Sequence, residues 1–400
     1  SKVDAPEAKI EPGPTLREER DSSNDNNTSR CPVSTLFEGR DSSLNKRSPV
    51  SILREEEDEE RGRVEGHRSR QEYQSFGLYL AYLFYPPLYI TGPIVTFNAF
   101  ASYMEAPQQI VRGRSLMIYW ARLFFNMCLF VMFGHYLYVS ALVQNGPLKL
   151  QQEPGLIAFE AAFMRHEGGG EGLIWFSFWS LEFLWFKFLV IWRFSRAWAL
   201  LDGVLAPEDM ARCMCNNYSV RGFWRGWHRS FNRWNVRYIF VPLGGSKGVS
   251  VLRHFVNFGL VFTFTAVWHE PTVLFGSQQE RRLLVWGWLF ALFVLPEVVA
   301  ERFCKLPAPK AFLESRPLLA RHLTALGSSC CVQLILLANC IGYSYGLAGV
   351  DFVLGACRSW GMVLFLLAQT AWLSANVQLM LLVRLREARA SNNNNKVKEQ

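Results

Sequence analysis

The chain has no Gly-x-Ser-x-Gly elbow at a strand-to-helix turn (its one such string, Gly342-Tyr-Ser-Tyr-Gly346, ends an apolar span), no Cys-x-x-Cys pair, and no acidic residue between Asp209 and Glu270. The first absence leaves a serine-hydrolase route without support. The second leaves no zinc-ribbon framework, because Cys213-Met-Cys215 alone is too tight for a zinc knuckle. The third leaves eight Lys or Arg over that stretch with no local counter-charge. The first residues are polar, begin at Ser1 rather than Met, and carry no apolar signal segment. No internal repeat of fixed period is present.

What is abundant is apolar and aromatic. Half of the 400 residues are hydrophobic, with 31 Phe and 14 Trp. Residues 1–72 are the exception, being polar, charged and nearly free of large apolar side chains, with an acidic run from Glu55 to Glu60. Such a segment cannot bury enough apolar surface to offset its ordering, so a disordered tail is expected there. Acids slightly outnumber bases in it, so the net charge of +8 understates the basic excess of the rest. That excess lies in loops between apolar segments, as expected beside an anionic membrane face. A membrane domain is expected over 73–388 and a second disordered tail over 389–400, where Ser391 opens an Asn-rich run.

A bilayer-spanning helix needs about 20 residues. Candidate spans fall near 76–102, 116–143, 173–200, 251–276, 283–303, 322–348 and 352–384. The first is interrupted by Pro86-Pro87 and Gly92-Pro93. Proline breaks a helix, and a break at membrane depth survives only inside protein or beside a wet cavity. A re-entrant or broken helix pair is expected. The long loop 144–172, with Gly168-Gly-Gly170, reads as partly interfacial. Cys128, Cys330, Cys331, Cys340 and Cys357 lie in apolar stretches and read as small buried hydrophobes. Asn26, Asn27 and Asn217 open glycosylation sequons, relevant only where they face a lumen.

The chemistry concentrates in one segment. Arg221, Arg225, Arg229, Arg233 and Arg237 recur every four residues, with Trp224, Trp227, Phe231, Trp234 and Tyr238 between them. Taken as a helix over 219–240, this makes a cationic aromatic stripe drifting about 40° per step, suited to a membrane interface. Lipid headgroups are one ligand for it. A phosphate-bearing ligand is another, since guanidinium binds phosphate bidentately. Flanking membrane spans argue against nucleic acid. His228 lies within the stripe, and His269 closes the apolar run that follows. An ionisable residue at membrane depth is a functional-site hypothesis by default. A neutral imidazole accepts a proton near neutral pH, which suits activating a hydroxyl toward an acyl carbonyl. Asn232, Asn235 and Asn257 offer amide partners. A third ligand at metal spacing does not accompany the two histidines, so no catalytic metal is expected.

These residues resemble a known family. The pattern Phe223-Trp-Arg-x-Trp-His228-x-Ser-Phe-x-x-Trp234, then Val236 through Gly245, then Trp268-His269, resembles the membrane-bound O-acyltransferase superfamily. The stretch from Tyr85 to Asn98 and that from Trp192 to Gly203 resemble its glycerol-uptake-protein and Hedgehog-acyltransferase branch. The likeness covers roughly 75–384. It implies an all-α polytopic bundle with a transbilayer tunnel, taking long-chain acyl-CoA from one side and its acceptor from the other side or the bilayer. It also implies that His269 is the general base. His228, at a position that is His, Asn or Asp among members, is implied to orient the thioester or stabilise the oxyanion. Asn232 and Asn235 would support them, and Arg225, Arg229, Arg233 and Lys247 would take the CoA phosphates. Cys213 lies where the Hedgehog branch has a haem-ligating cysteine, so haem is a possible cofactor by that likeness.

Glu270 beside His269 is similar to the glycerol-uptake branch rather than to the Hedgehog branch. The expected activity is therefore acylation of a lysolipid, foremost a lyso-GPI anchor, at the endoplasmic-reticulum membrane. Protein N-terminal acylation is the alternative within enzymes. A polyol transporter would show matched broken helices in two halves, and only one broken segment is seen. An inactive scaffold would be expected to have lost one histidine. About seven spans against the family's usual ten or more suggests that early spans are missing.

Overall fold

The computed structural model describes residues 49–66, 68–137, 170–246, 248–274, 281–343 and 360–398. Among the described residues all regular structure is helical. In chain order the helices are α1 (Pro49–Glu65), α2 (Arg70–Tyr73), α3 (Phe76–Leu83), α4 (Pro86–Tyr89), α5 (Phe97–Glu105), α6 (Arg114–Leu137) and α7 (Gly170–Leu201). They continue as α8 (Val220–Gly226), α9 (Arg229–Asn235), α10 (Val251–His269), α11 (Arg282–Cys304), α12 (Pro307–Glu314), α13 (Pro317–Tyr343) and α14 (Trp360–Lys398). Five of them, α6, α10, α11, α13 and α14, contain stretches long and apolar enough to cross a membrane. Almost none of the apolar stretch of α6 or α14 is buried in protein. Outward residues such as Phe124, Val131, Leu364 and Trp372 make an apolar surface of the kind that lipid, not water, covers. The chain is an all-α polytopic membrane protein.

The broken first segment is as its prolines dictate. The chain runs α3, α4, α5 rather than one rod, with Pro86 and Pro87 opening α4. The non-helical backbone between α4 and α5 is satisfied by protein, as membrane depth requires. Ile94 N–H donates to the Ser230 hydroxyl at 2.9 Å, and Thr91 and Ser195 hydroxyls lie 3.2 Å apart. At Gly92 a Cβ would sit 2.4 Å from the Pro87 carbonyl, so only glycine fits this fold-back.

Two cores position the site. One joins α8, α10, α11 and α13 through Phe223, Phe262, Trp286 and Phe290. Lipid is as apolar as leucine, so packing inside a bilayer depends on close approach at small residues. A Cβ on Gly287 would meet Phe262 at 3.0 Å, and one on Gly342 would meet Trp286 at 2.6 Å. Trp286 is almost fully buried and donates its indole N–H to Asn339 at 3.2 Å. The other core joins α5 to the end of α7 and the following loop through Phe100, Tyr103, Ala199 and Leu205.

Several expectations need correction. The acidic run does not lie in an unordered tail to residue 72, because Pro49–Glu65 is helical and docks through its carboxylates, as described below. Compositional reasoning missed this because its partners are arginines more than 100 residues away. Residues 1–48 lie outside the described residues. The Asn-rich C-terminal stretch continues α14 to Lys398. Cys331 and Cys340 are buried as expected, but Cys128 and Cys330 are exposed on their helices, and Cys357 lies outside the described residues. Asn217 is buried, with its amide donating to the Cys213 carbonyl at 3.1 Å, so this sequon is used internally. The loop 144–169 and the two N-terminal sequons also lie outside the described residues.

Candidate active site

The segment 219–240 is not one helix. Ser219 caps α8 by accepting from Gly222 N–H at 2.9 Å, and α8 stops at Gly226. Trp227 is extended and His228 takes a left-handed conformation at φ 42° and ψ 57°. Then α9 begins, and it passes into a π-helical turn over Val236–Phe240. His228 is the one non-glycine residue with positive φ among the described residues. Such a backbone costs on the order of 1 kcal/mol or more and persists only when its surroundings impose it.

Asp209 is what imposes it. Its side chain is fully buried, and its Oδ2 accepts from His228 Nδ1 at 3.1 Å. Its Oδ1 accepts from Ser230 N–H at 2.7 Å, and its carbonyl accepts from Arg229 N–H at 3.1 Å. One aspartate therefore caps the N-terminus of α9 and fixes the imidazole that begins it. A carboxylate there is further stabilised by the helix dipole. The imidazole is stacked between Trp192, at 4.2 Å, and Phe231, at 5.1 Å between ring centroids. With Nδ1 committed to Asp209, Nε2 is the nitrogen left for chemistry.

His269 is held differently. It is the last residue of α10, its ring lies edge-on to Tyr343 at 6.4 Å, and it is exposed rather than packed away. The two segments meet through aromatic rings, because Phe231, stacked on His228, lies 5.9 Å from Trp268, the residue before His269. Glu270, next in sequence, accepts from the Thr272 hydroxyl at 2.9 Å.

The helix that carries this site is pinned at its start. Glu297 of α11 accepts from Val220 N–H and from Arg221 Nε, the latter at 3.1 Å, while Arg221 also reaches Glu301 at 2.8 Å. The remaining arginines do not form the free stripe expected of one long helix. Arg229 pairs with Glu57 and Arg233 with Glu60 at 2.6 Å, both carboxylates from α1. On the same face Arg196, almost fully buried, bridges Glu56 at 2.7 Å and Glu208 at 3.4 Å. Burial pushes the Glu56 carboxyl above its ordinary value even with Arg196 beside it. Arg225 is exposed, and Lys247 lies outside the described residues. Asn232 supports the elbow through its backbone, donating to the His228 carbonyl at 2.9 Å. Asn235 is buried with its Oδ1 lacking a hydrogen-bond partner, so it is the better placed of the two to receive a donor.

Sequence reasoning missed two sets of residues: Asp209, and the α1 carboxylates. Asp209 was visible as the last acid before the acid-free stretch, which is the signal that would have singled it out. A further group, Glu182 with Cys213 and Cys215, brings donor atoms within 4.8 Å of one another on the approach to α8.

Comparison with known proteins identifies the family. The family model described as MBOAT, membrane-bound O-acyltransferase family, matches residues 57–337. Membrane-bound O-acyltransferase gup1 of Schizosaccharomyces pombe is 36% identical over 280 residues, covering 69% of this chain and 41% of that protein. Membrane-bound O-acyltransferase GUP1 of Candida tropicalis is 33% identical over 323 residues, covering 80% and 49%. Protein-cysteine N-palmitoyltransferase HHAT of Mus musculus is 27% identical over 278 residues, covering 67% and 49%. The chain thus spans about half the length of these relatives. With a match over well more than half of its residues, the chain belongs to the membrane-bound O-acyltransferase family.

Proposed function

We propose that this chain carries the catalytic part of an acyl-CoA-dependent O-acyltransferase, with a lysolipid as acceptor and GPI-anchor lipid remodelling at the endoplasmic-reticulum membrane as its setting. The observation that carries the reading is an imidazole oriented by a buried carboxylate, His228, whose stacked Phe231 packs against Trp268 beside His269. His269 takes the proton of the acceptor hydroxyl as the oxygen attacks the thioester carbonyl. His228, anchored at Nδ1 by Asp209, presents Nε2 to the oxygen that becomes negative. Collapse breaks the carbon–sulfur bond, and His269 returns its proton to the departing CoA thiolate. Asn235, Arg225, Arg229 and Arg233 are the groups proposed for the polar arm and phosphates of CoA. Arg229 and Arg233 would first have to leave Glu57 and Glu60.

The experiment is acyl transfer in lipid nanodiscs from labelled acyl-CoA to lyso-phosphatidylinositol or lyso-GPI, wild type beside His269→Ala. Transfer lost in a folded variant supports the reading. Equal transfer by both removes His269 from it. Transfer to an N-terminal peptide but not to either lipid would favour protein acylation instead.

A further inference from the structure

We infer that Glu182, Cys213 and Cys215 form a binding site for a compact, thiophilic divalent cation such as zinc, and not the thiolate face of a haem. The three residues come from two elements. Glu182 projects from α7, and the cysteines flank Met214 in the loop before α8. The Glu182 carboxylate reaches the Cys215 sulfur at 2.5 Å and the Cys213 sulfur at 3.9 Å, and all three donors lie within 4.8 Å of one another.

The donor set distinguishes the two ligands. A haem accepts one axial sulfur, and its flat macrocycle then covers the space around that sulfur. Here that space holds a second sulfur and two carboxylate oxygens, so the residues do not fit it. A tetrahedral zinc with bonds of about 2.3 Å to sulfur and about 2.0 Å to oxygen places its ligand atoms about 3.5–4 Å apart, a separation that the Cys213 contact already has and to which the Cys215 contact would open by a small side-chain shift. Thiolate and carboxylate are also the ligand types such an ion takes. Three protein ligands would leave one position for water.

A second observation points the same way. Glu182 lies within a 32-residue helix of mostly apolar side chains, where an ionisable group needs a partner. Among the described residues, the groups facing its carboxylate are two thiols rather than an arginine or lysine. Thiols are weak hydrogen-bond donors. A cation between them would satisfy all three groups and would clamp α7 to the loop that starts α8, 13 residues before His228 at the nearer cysteine.

The test is metal content, which is independent of whether the chain transfers acyl groups. The chain is purified in nanodiscs without chelators and assayed by elemental analysis, then refilled with cobalt and read for thiolate-to-metal charge-transfer absorption. About one equivalent of zinc per chain is expected, with both signals lost in Cys215→Ser and in Glu182→Gln. Cys215 is exposed, so its serine variant is expected to fold, which size-exclusion chromatography checks. A haem Soret band that survives Cys215→Ser but not Cys213→Ser would overturn the proposal. So would metal content unchanged in both variants, or no metal in folded wild type whose thiols react freely.

Discussion

The two histidines sit in regions built on opposite principles. Around His228 the structure is polar and over-determined, with a buried aspartate, a left-handed backbone, two stacked rings and ion pairs to α1 and α11. Around His269 it is apolar, with Tyr343 edge-on to the ring, and the imidazole ends an otherwise regular helix. The contrast matches a division of labour. A group that must point a hydrogen bond at a developing charge gains from preorganisation. A base that must accept and return a proton needs an unencumbered nitrogen and limited water.

The sharpest way to break the comparison is to remove each imidazole. His269→Ala is expected to reduce transfer to background, a loss of about 10³–10⁴-fold, since proton transfer has no substitute there. His228→Ala is expected to lose about 10²–10³-fold, the scale of a missing oxyanion donor. Single-turnover transfer in nanodiscs measures both. A larger loss at His228 than at His269 would exchange their roles, because Asp209 equally suits orienting a base.

His228→Asn sharpens the assignment. Asparagine keeps a side-chain N–H donor and tolerates the left-handed conformation, whereas alanine does neither. The asparagine variant is expected to retain about 10-fold more activity than the alanine variant if His228 donates to the oxyanion. Equal loss would mean that its role is proton transfer. Asp209→Asn, which keeps the cap on α9 but removes the negative charge that orients Nδ1 of His228, is expected to lower kcat about 10-fold with KM nearly unchanged.

On the apolar side the corresponding perturbation is steric. Gly342→Ala would drive a methyl against Trp286, which cannot swing away because it is buried and hydrogen-bonded to Asn339. A cost of about 1–3 kcal/mol is expected, together with displacement of Tyr343 next to His269. Gly259→Ala meets only the outer ring of Trp288, which is partly exposed, and is expected to be milder. Thermal unfolding in one detergent compares the two, and equal midpoints would contradict the packing described.

The same contrast explains what was legible in the sequence. His228 and His269 stood out because ionisable side chains are rare among apolar ones, and the broken first segment followed from four residues, Pro86, Pro87, Gly92 and Pro93. The polar elbow was hidden. The four-residue arginine period runs unbroken through the helix break at Trp227 and His228, because tertiary contacts from Asp209, rather than local propensity, set that break. The ordering of α1 was hidden for the same reason, since its charges are paid back by Arg196, Arg229 and Arg233 from distant helices.

The smallest expected effect tests those α1 pairs. Glu57 and Glu60 hold Arg229 and Arg233 at a partly exposed surface, where an ion pair contributes about 0–1 kcal/mol. Glu57→Gln with Glu60→Gln is therefore expected to leave thermal stability almost unchanged. If the two arginines also serve the CoA phosphates, the acids compete with substrate, and the double variant is expected to lower KM for acyl-CoA about 2–5-fold with kcat unchanged. The gain should shrink at high salt, where the wild-type pairs are already screened. A KM that is unchanged at every salt concentration would make these arginines a structural clasp for α1 alone. Phosphate recognition would then fall to other groups, with exposed Arg225 the first to substitute.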